Sequence, residues 1–363
     1  MDGQGSEANP RRGDQTTPDV GLSLAPVAPP DQAAYQQARL RLDQLAKPTG
    51  SLGMLEDLAA WLAGCQGRCP PAVPQDIRAV VLAGDHGVAQ YGVSAYPGEV
   101  TPAMVRAFVA GTAGAAVLAR QHEVRLEIYD LGVDDDLDGV PDQVTRYKVR
   151  RSSRALQLED ALTPSEAVRA YQAGESIAHE QLETGADLMI IGDLGIGNTT
   201  PAACLVAASL GVGAELVTGS GTGVTGPELA HKAEVIKTAL ARVGDRAADP
   251  WQRLIALGST DLIAAVAIMI TSARAGVPIL LDGLISVAEA ITAEDLAPGT
   301  VGWCAAGHRS TEPGQQLALQ KLGLRPMIDA SMRLGEGSGA LVAVPMLRSA
   351  ALLINQMSLL ADL

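Results

Sequence analysis

Aromatic side chains are scarce, at 3% of the 363 residues with a single Phe. Surfaces that bind nucleic acid stack bases on such rings, and a net charge of −14 repels a phosphate backbone. Both argue against a nucleic-acid partner, so any anionic ligand has to be held locally. Cysteine is sparse too. Cys65, Cys69, Cys204 and Cys304, without a signal peptide, point to a reducing cytoplasm. Cys65-x3-Cys69 has no matching second pair and reads as incidental, in a loop-like region. The longest apolar run, residues 262–270, is too short to span a bilayer, so no membrane association is expected. SxxK, GxSxG, HExxH and paired CxxC motifs are missing, leaving serine hydrolysis and zinc chemistry without support. Asp134, Asp136, Asp138 and Gly139 imitate the start of an EF-hand loop, but residue 145, where the bidentate acid should fall, is Thr. That excludes calcium in favour of a solvated acidic turn.

What is present is small and apolar. Hydrophobic residues make up 47% of the chain and glycine 39 positions, enough for a large core of closely packed elements. The length fits two domains, or one large domain with an appendage. Residues 1–30 are rich in Gly, Pro, Asp and Gln without periodicity and read as a disordered tail. Residues 31–75 carry two helices: Ala34, Ala38, Leu42 and Leu45 recur at helical spacing, and Ser51 is placed to cap a second helix bearing Leu55, Leu58, Ala59 and Leu62. From residue 76 to about 330 the pattern is α/β. Strands are expected near residues 77–83, 124–131, 188–191 and 277–281, with helices between them. Residues 331–363 form a glycine-rich loop and a terminal apolar helix.

The centre of the chain is residues 188–203, LMIIGDLGIGNTTPAA. An apolar run of the buried-strand type breaks into Gly192, Gly195 and Gly197, which allow backbone angles closed to other residues. Asn198, Thr199 and Thr200 then stand where a helix cap belongs, with Pro201 in the first turn. Strand, glycine turn and helix start together make an anion site. It is neither a Walker loop nor the dinucleotide fingerprint, whose third glycine is replaced by Thr200. A tight βα turn without ligand stays open as the alternative. Elsewhere, Asp85 and His86 close the first strand as candidates for ligand contact or loop ordering, and Thr101-Pro102 fits a helix start. Residues 215–226 form a second glycine loop, followed by a helix with His231 and Lys232. His308, Arg309, Ser310 and Glu312 lie in a polar loop. In LGEGSG, Glu336 is one carboxylate among glycines before an apolar helix, which suits a general base facing a pocket, with a Glu stabilising the helix N-terminus as the alternative.

Six stretches, GDHGV with VSAYPGEVT, GDLGIGNTTPAA, the GTG loop with its Lys, LLDGLI, HRSTEPGQQLAL and RLGEGSGA, occur in the order found in the nicotinate-nucleotide–dimethylbenzimidazole phosphoribosyltransferase family, which the chain resembles from about residue 35 to 360. The resemblance implies a Rossmann-like parallel sheet flanked by helices, a small helical domain formed partly by the chain ends, and a homodimer. It implies transfer of 5-phosphoribosyl from nicotinate mononucleotide to 5,6-dimethylbenzimidazole, giving α-ribazole 5′-phosphate and nicotinate for the lower ligand of cobalamin. Glu336 takes the base position by that likeness. Asp193, where family members often carry Glu, would lie near the base pocket, bordered by Ser94, Tyr96, Leu194, Leu334 and Gly335. Gly195, Gly197, Asn198, Thr199, Gly221, Lys232 and Ser310 would hold phosphate, with Asp261, Asp282 and Gly283 close to the ribose. Gly98 stands where a larger polar residue is common. No metal or cofactor is called for, since the donor has no pyrophosphate. Two rival classes remain open: a nicotinamide-dependent oxidoreductase and a non-catalytic azole- or nucleotide-binding homologue.

Overall fold

The computed structural model describes residues 24–363. Five strands, β1 (Ile77–Gly84), β2 (Arg125–Gly132), β3 (Leu188–Leu194), β4 (Ile279–Leu281) and β5 (Cys304–Ala306), form one parallel sheet in the order β2-β1-β3-β4-β5. Alternate side chains of a strand face opposite sides, and the core divides accordingly. Val80, Leu82, Met189 and Ile191 face one apolar layer, built largely on the helices Pro164–Glu183, Thr199–Leu210, Thr260–Arg274 and Leu284–Leu296. Ala79, Val81, Leu188 and Ile190 face the other, against helices Gln32–Gln44, Met54–Gln66, Gly114–Gln121 and Ser338–Gln356. Helices on both faces of a parallel sheet define an α/β fold. The chain leaves β1 for one neighbour, β2, and later returns to the other, β3. That reversal opens a crevice at the carboxyl ends of β1 and β3, the usual place for a ligand in such sheets.

The helix Pro164–Glu183 shows how local chemistry sets an element. Thr163 accepts from the Glu166 amide at 3.3 Å, the Glu166 carboxylate accepts from the Thr163 amide at 2.7 Å, and Pro164 fills the first position, a reciprocal cap. The chain ends meet: Ala46 N donates to Ser358 O at 2.9 Å, and Arg41 Nε to Ile354 O at 2.8 Å. By length and composition, segments Val100–Gln121 and Ser338–Gln356 are apolar enough to cross a bilayer, although neither is an unbroken apolar run. In the second, Leu341, Val344, Leu347 and Ile354 are buried in the core layer.

Several expectations need correction. Residues 1–23 lie outside the described residues, but 24–30, expected to be disordered, are docked. Val27 is buried, its amide donates to Pro298 O at 2.8 Å, and Trp303 Nε1 donates to Ala28 O at 2.9 Å. An extended Pro- and Ala-rich strip packs without any periodicity. Ser51 caps nothing, because the second helix begins at Met54 behind Gly53. Cys65 lies inside that helix, not in a loop. The helix after Tyr96 starts at Val100, so Thr101 is within it and is not its cap. β5, where no strand was expected, is three small residues whose pattern resembles no strand.

Candidate active site

The GDLGIGN turn is shaped by close contact more than by unusual backbone. A Cβ on Gly192 would lie 2.5 Å from the Glu336 carbonyl carbon, and one on Gly195 would lie 1.9 Å from Gly84 O. Of the three glycines credited with special angles, only Gly197 has one, φ +91°. Gly192 therefore lets the Glu336 loop rest on β3, and Gly195 lets the turn rest on the end of β1. Asn198 does not cap the helix; its Nδ2 donates to Asp193 Oδ1 at 2.6 Å. Asp85 orders the neighbouring loops. Its Oδ1 accepts from Thr101 Oγ1 at 2.6 Å and its Oδ2 from Asp134 N at 2.8 Å, while Thr101 Oγ1 accepts from Ile196 N at 3.1 Å.

These turns surround a cavity of about 540 Å³. Tyr96, Asp193, Leu194, Gly195, Asn198, Thr199, Gly221, Asp282, Gly283, Ser310, Leu334, Gly335 and Glu336 all line it, drawn together from distant parts of the chain. Ser94, Gly197, Lys232 and Asp261 do not line it. Ser94 stands behind the wall, its Oγ 2.9 Å from Thr222 Oγ1, tying the SAYP loop to the GTG loop. Lys232 is fully buried, and its Nζ donates to Thr199 Oγ1 at 2.8 Å and Gly219 O at 3.0 Å. Burial pushes its ammonium below the ordinary range, opposed by the Glu312 carboxylate. It thus supports the turn from beneath. Asp261 is also completely buried, with Oδ2 3.4 Å from His86 Nε2.

Sequence reasoning passed over Thr222 and Arg333, and it read His308 and Glu312 only as members of a polar loop; all four line the wall. Glu312 Oε1 accepts from Gly221 N at 2.8 Å, joining two loops, and Arg333 Nη1 donates to Gly221 O at 3.1 Å. Arg333 opens the RLGEGSG stretch, a basic residue three positions from the carboxylate. That was the available signal.

Electrostatically the carboxylates separate into distinct kinds. Glu336 is raised above the ordinary range, mainly by burial and further by the Asp282 charge, against one long contact of 3.5 Å from the Ala115 amide. A carboxylate with one weak donor and a raised pKa is suited to take a proton. Asp282 goes the other way. Burial would raise it, but His308 and the amides of Gly339 and Ala340 hold it below its ordinary value. Asp193 and Glu289 are pushed well up, first by burial and then by neighbouring carboxylates, Asp261 being common to both. Protonation of these two relieves the repulsion. His86, Asp193 and Asp261 offer donor atoms within 4.8 Å of one another, so this set is also the one among the described residues with metal-ligand spacing.

A phosphoribosyltransferase family model (DBI_PRT) matches residues 27–362. The chain belongs to this family. It is 46% identical over 341 residues to the nicotinate-nucleotide–dimethylbenzimidazole phosphoribosyltransferase of Mycobacterium marinum, covering 94% of this chain and 95% of that one. The enzyme of the same name from Mycobacterium avium is 47% identical, with 94% and 97% covered. The crystal structure of CobT from Thermus thermophilus superposes with a TM-score of 0.86 at 42% identity, over 91% of this chain and 98% of that one. Membership removes the oxidoreductase alternative, and it extends to Val27, upstream of the motifs that first indicated it.

Proposed function

We propose that this chain transfers 5-phosphoribosyl from nicotinate mononucleotide to 5,6-dimethylbenzimidazole. The observation that carries this is the placement of Glu336, a buried carboxylate of raised pKa, in one cavity with the glycine turn at the start of the Thr199–Leu210 helix. The pyridinium nitrogen of the donor is already cationic, so nicotinate leaves with the bonding pair and needs no acid. The acceptor is what needs help. As one benzimidazole nitrogen attacks C1′, the other must lose its proton, and Glu336 takes it. Attack opposite the departing nicotinate converts a β to an α linkage. The phosphate belongs at the Gly195–Thr199 turn, where the start of the Thr199–Leu210 helix and its dipole favour an anion, with Arg333 and Ser310 lining the same cavity. The base belongs beside Tyr96, Leu194 and Leu334, the more apolar side.

Tyr96 and Leu334 are 57% and 56% exposed, and we include a homodimer in the proposal because an apolar rim of this kind is readily covered by a second copy. Sedimentation at micromolar concentration checks that part. For the activity, the chain is incubated with nicotinate mononucleotide and a panel of bases, and products are separated by mass. Formation of α-ribazole 5′-phosphate with one nicotinate released per turnover is expected. Binding of both substrates without turnover would instead make the chain a non-catalytic homologue.

A further inference from the structure

Glu336 does not hold its own position. Gly335, Glu336 and Gly337 have φ of +78°, +63° and +82°, and a non-glycine in that region is strained by about 1 kcal/mol or more. Asp282 supplies what holds it. Its Oδ2 accepts from Gly337 N at 3.1 Å, and its Oδ1 accepts from Gly339 N at 2.7 Å and Ala340 N at 3.1 Å. These are the free amides at the start of the Ser338–Gln356 helix, whose dipole favours the charge. Asp282 itself is fixed from two sides. His308 Nε2 lies 3.4 Å from its Oδ1, and Gln315 Nε2 donates to Asp282 O at 3.2 Å and to His308 O at 2.9 Å. Gln315 Oε1 accepts from Ser310 N at 2.6 Å, and the residue is fully buried. One amide side chain thus ties the loops after β4 and β5 to each other.

We propose that Asp282 and Gln315 are positioning residues that set the reach of the Glu336 carboxylate into the cavity, and that Asp282 is not a ribose ligand. This rests on Glu336 being the base. Both Asp282 oxygens are committed to backbone amides, and a ribose hydroxyl would have to compete with three of them. Gln315 does not itself line the cavity; it acts through the wall loops it joins, holding the backbone of Asp282, His308 and Ser310.

The test uses Asp282→Asn and Gln315→Met in the full chain, reading kcat, KM for nicotinate mononucleotide, the pH dependence of kcat, and amide exchange across residues 336–340 without substrate. A misplaced base costs on the order of 10²-fold, so Asp282→Asn should lower kcat by about that factor while KM changes little. Its acidic limb should also move to lower pH, because the charge opposing ionisation of Glu336 is gone. Gln315→Met should give a smaller fall in kcat with the limb in place. Exchange at residues 336–340 should quicken in both. A raised KM with kcat retained, or an unmoved limb in Asp282→Asn, would overturn the proposal in favour of a ribose contact. Should Asp282→Asn not fold, Gln315→Met decides alone: unchanged kcat and unchanged exchange overturn it. The exchange readout needs no turnover, so a failure of the base assignment is told apart from a failure of the positioning.

Discussion

At the residue scale, the chemistry depends on how differently the fold treats carboxylates of one kind. Glu336 and Asp282 are both buried, yet one is pushed up and the other held down. The difference is the number of donors each meets. Glu336→Gln keeps size and shape but cannot accept a proton. General-base catalysis contributes ~10²–10⁴-fold, so kcat should fall by about that range with KM less affected. Steady-state kinetics at saturating base check this, and a near-normal kcat would remove Glu336 from the role. Asp193→Asn should cost less, since Asp193 is itself driven toward its neutral form. The sign of the pH dependence follows as well. A base works only when deprotonated, so activity falls as pH drops through the Glu336 value. Because that value is raised, the acidic limb should lie above the ordinary glutamate range and vanish in Glu336→Gln. The RLGEGSG pattern made this residue legible in the sequence. Asp282 was legible as a site residue but not as a holder of the loop, because its partners are backbone amides 55, 57 and 58 positions away.

At the scale of elements, legibility followed the strength of local signals. β1 and β3 were readable from buried apolar runs that end in glycine turns. The glycine turn was readable in place but misassigned in cause: Gly192 and Gly195 are demanded by neighbours in space, which spacing does not record. β4 was readable as the apolar run at 277–281, whereas β5, three small residues, owes its pairing to β4 and to the helices around it. Where local chemistry does dominate, it yields a stability prediction. Burial would raise the Glu166 carboxyl, but Arg154, the Thr163 amide and Arg150 bring it from 4.5 to about 2. A carboxylate depressed in the folded state stabilises above its unfolded value, and that contribution is lost as pH falls toward the folded one. Glu166→Gln should therefore cost about 1–2 kcal/mol near neutrality. Urea titrations should show the gap between variant and parent closing as pH goes from about 4.5 to about 2. A gap independent of pH would mean that only the neutral cap geometry matters.

At the scale of the whole molecule, the site is made by returns of the chain over long distances. β3 receives the Glu336 loop at Gly192, the GTG loop is tied to Glu312 and Arg333, and the terminal helix packs with the first two. The strip at 24–30 belongs to the same pattern, and this is why composition misjudged it. Disorder is inferred when a segment cannot bury enough apolar surface by itself, but here Trp303 and Pro298 supply the surface. Val27 is 5% exposed, and burying a valine is worth roughly 1.5–3 kcal/mol. The bonds to Pro298 O and from Trp303 Nε1 add about 1 kcal/mol each. Ordering the strip costs conformational entropy that offsets much of this gain, so its removal should lower Tm by no more than a few degrees in a chain of this size. A chain beginning at Asp31 should therefore melt lower than one beginning at Leu24. Trp303 is the natural reporter, since its indole loses both a hydrogen-bond acceptor and its cover, and its emission should shift to longer wavelength. Trp303 lies beyond β4 and just before β5, and the strip does not touch the cavity wall, so kcat at low temperature should be equal in the two chains. Equal melting temperatures would mean that the strip contributes nothing, whatever its contacts, and a lower kcat at low temperature would mean that β5 carries the change through His308 to the site.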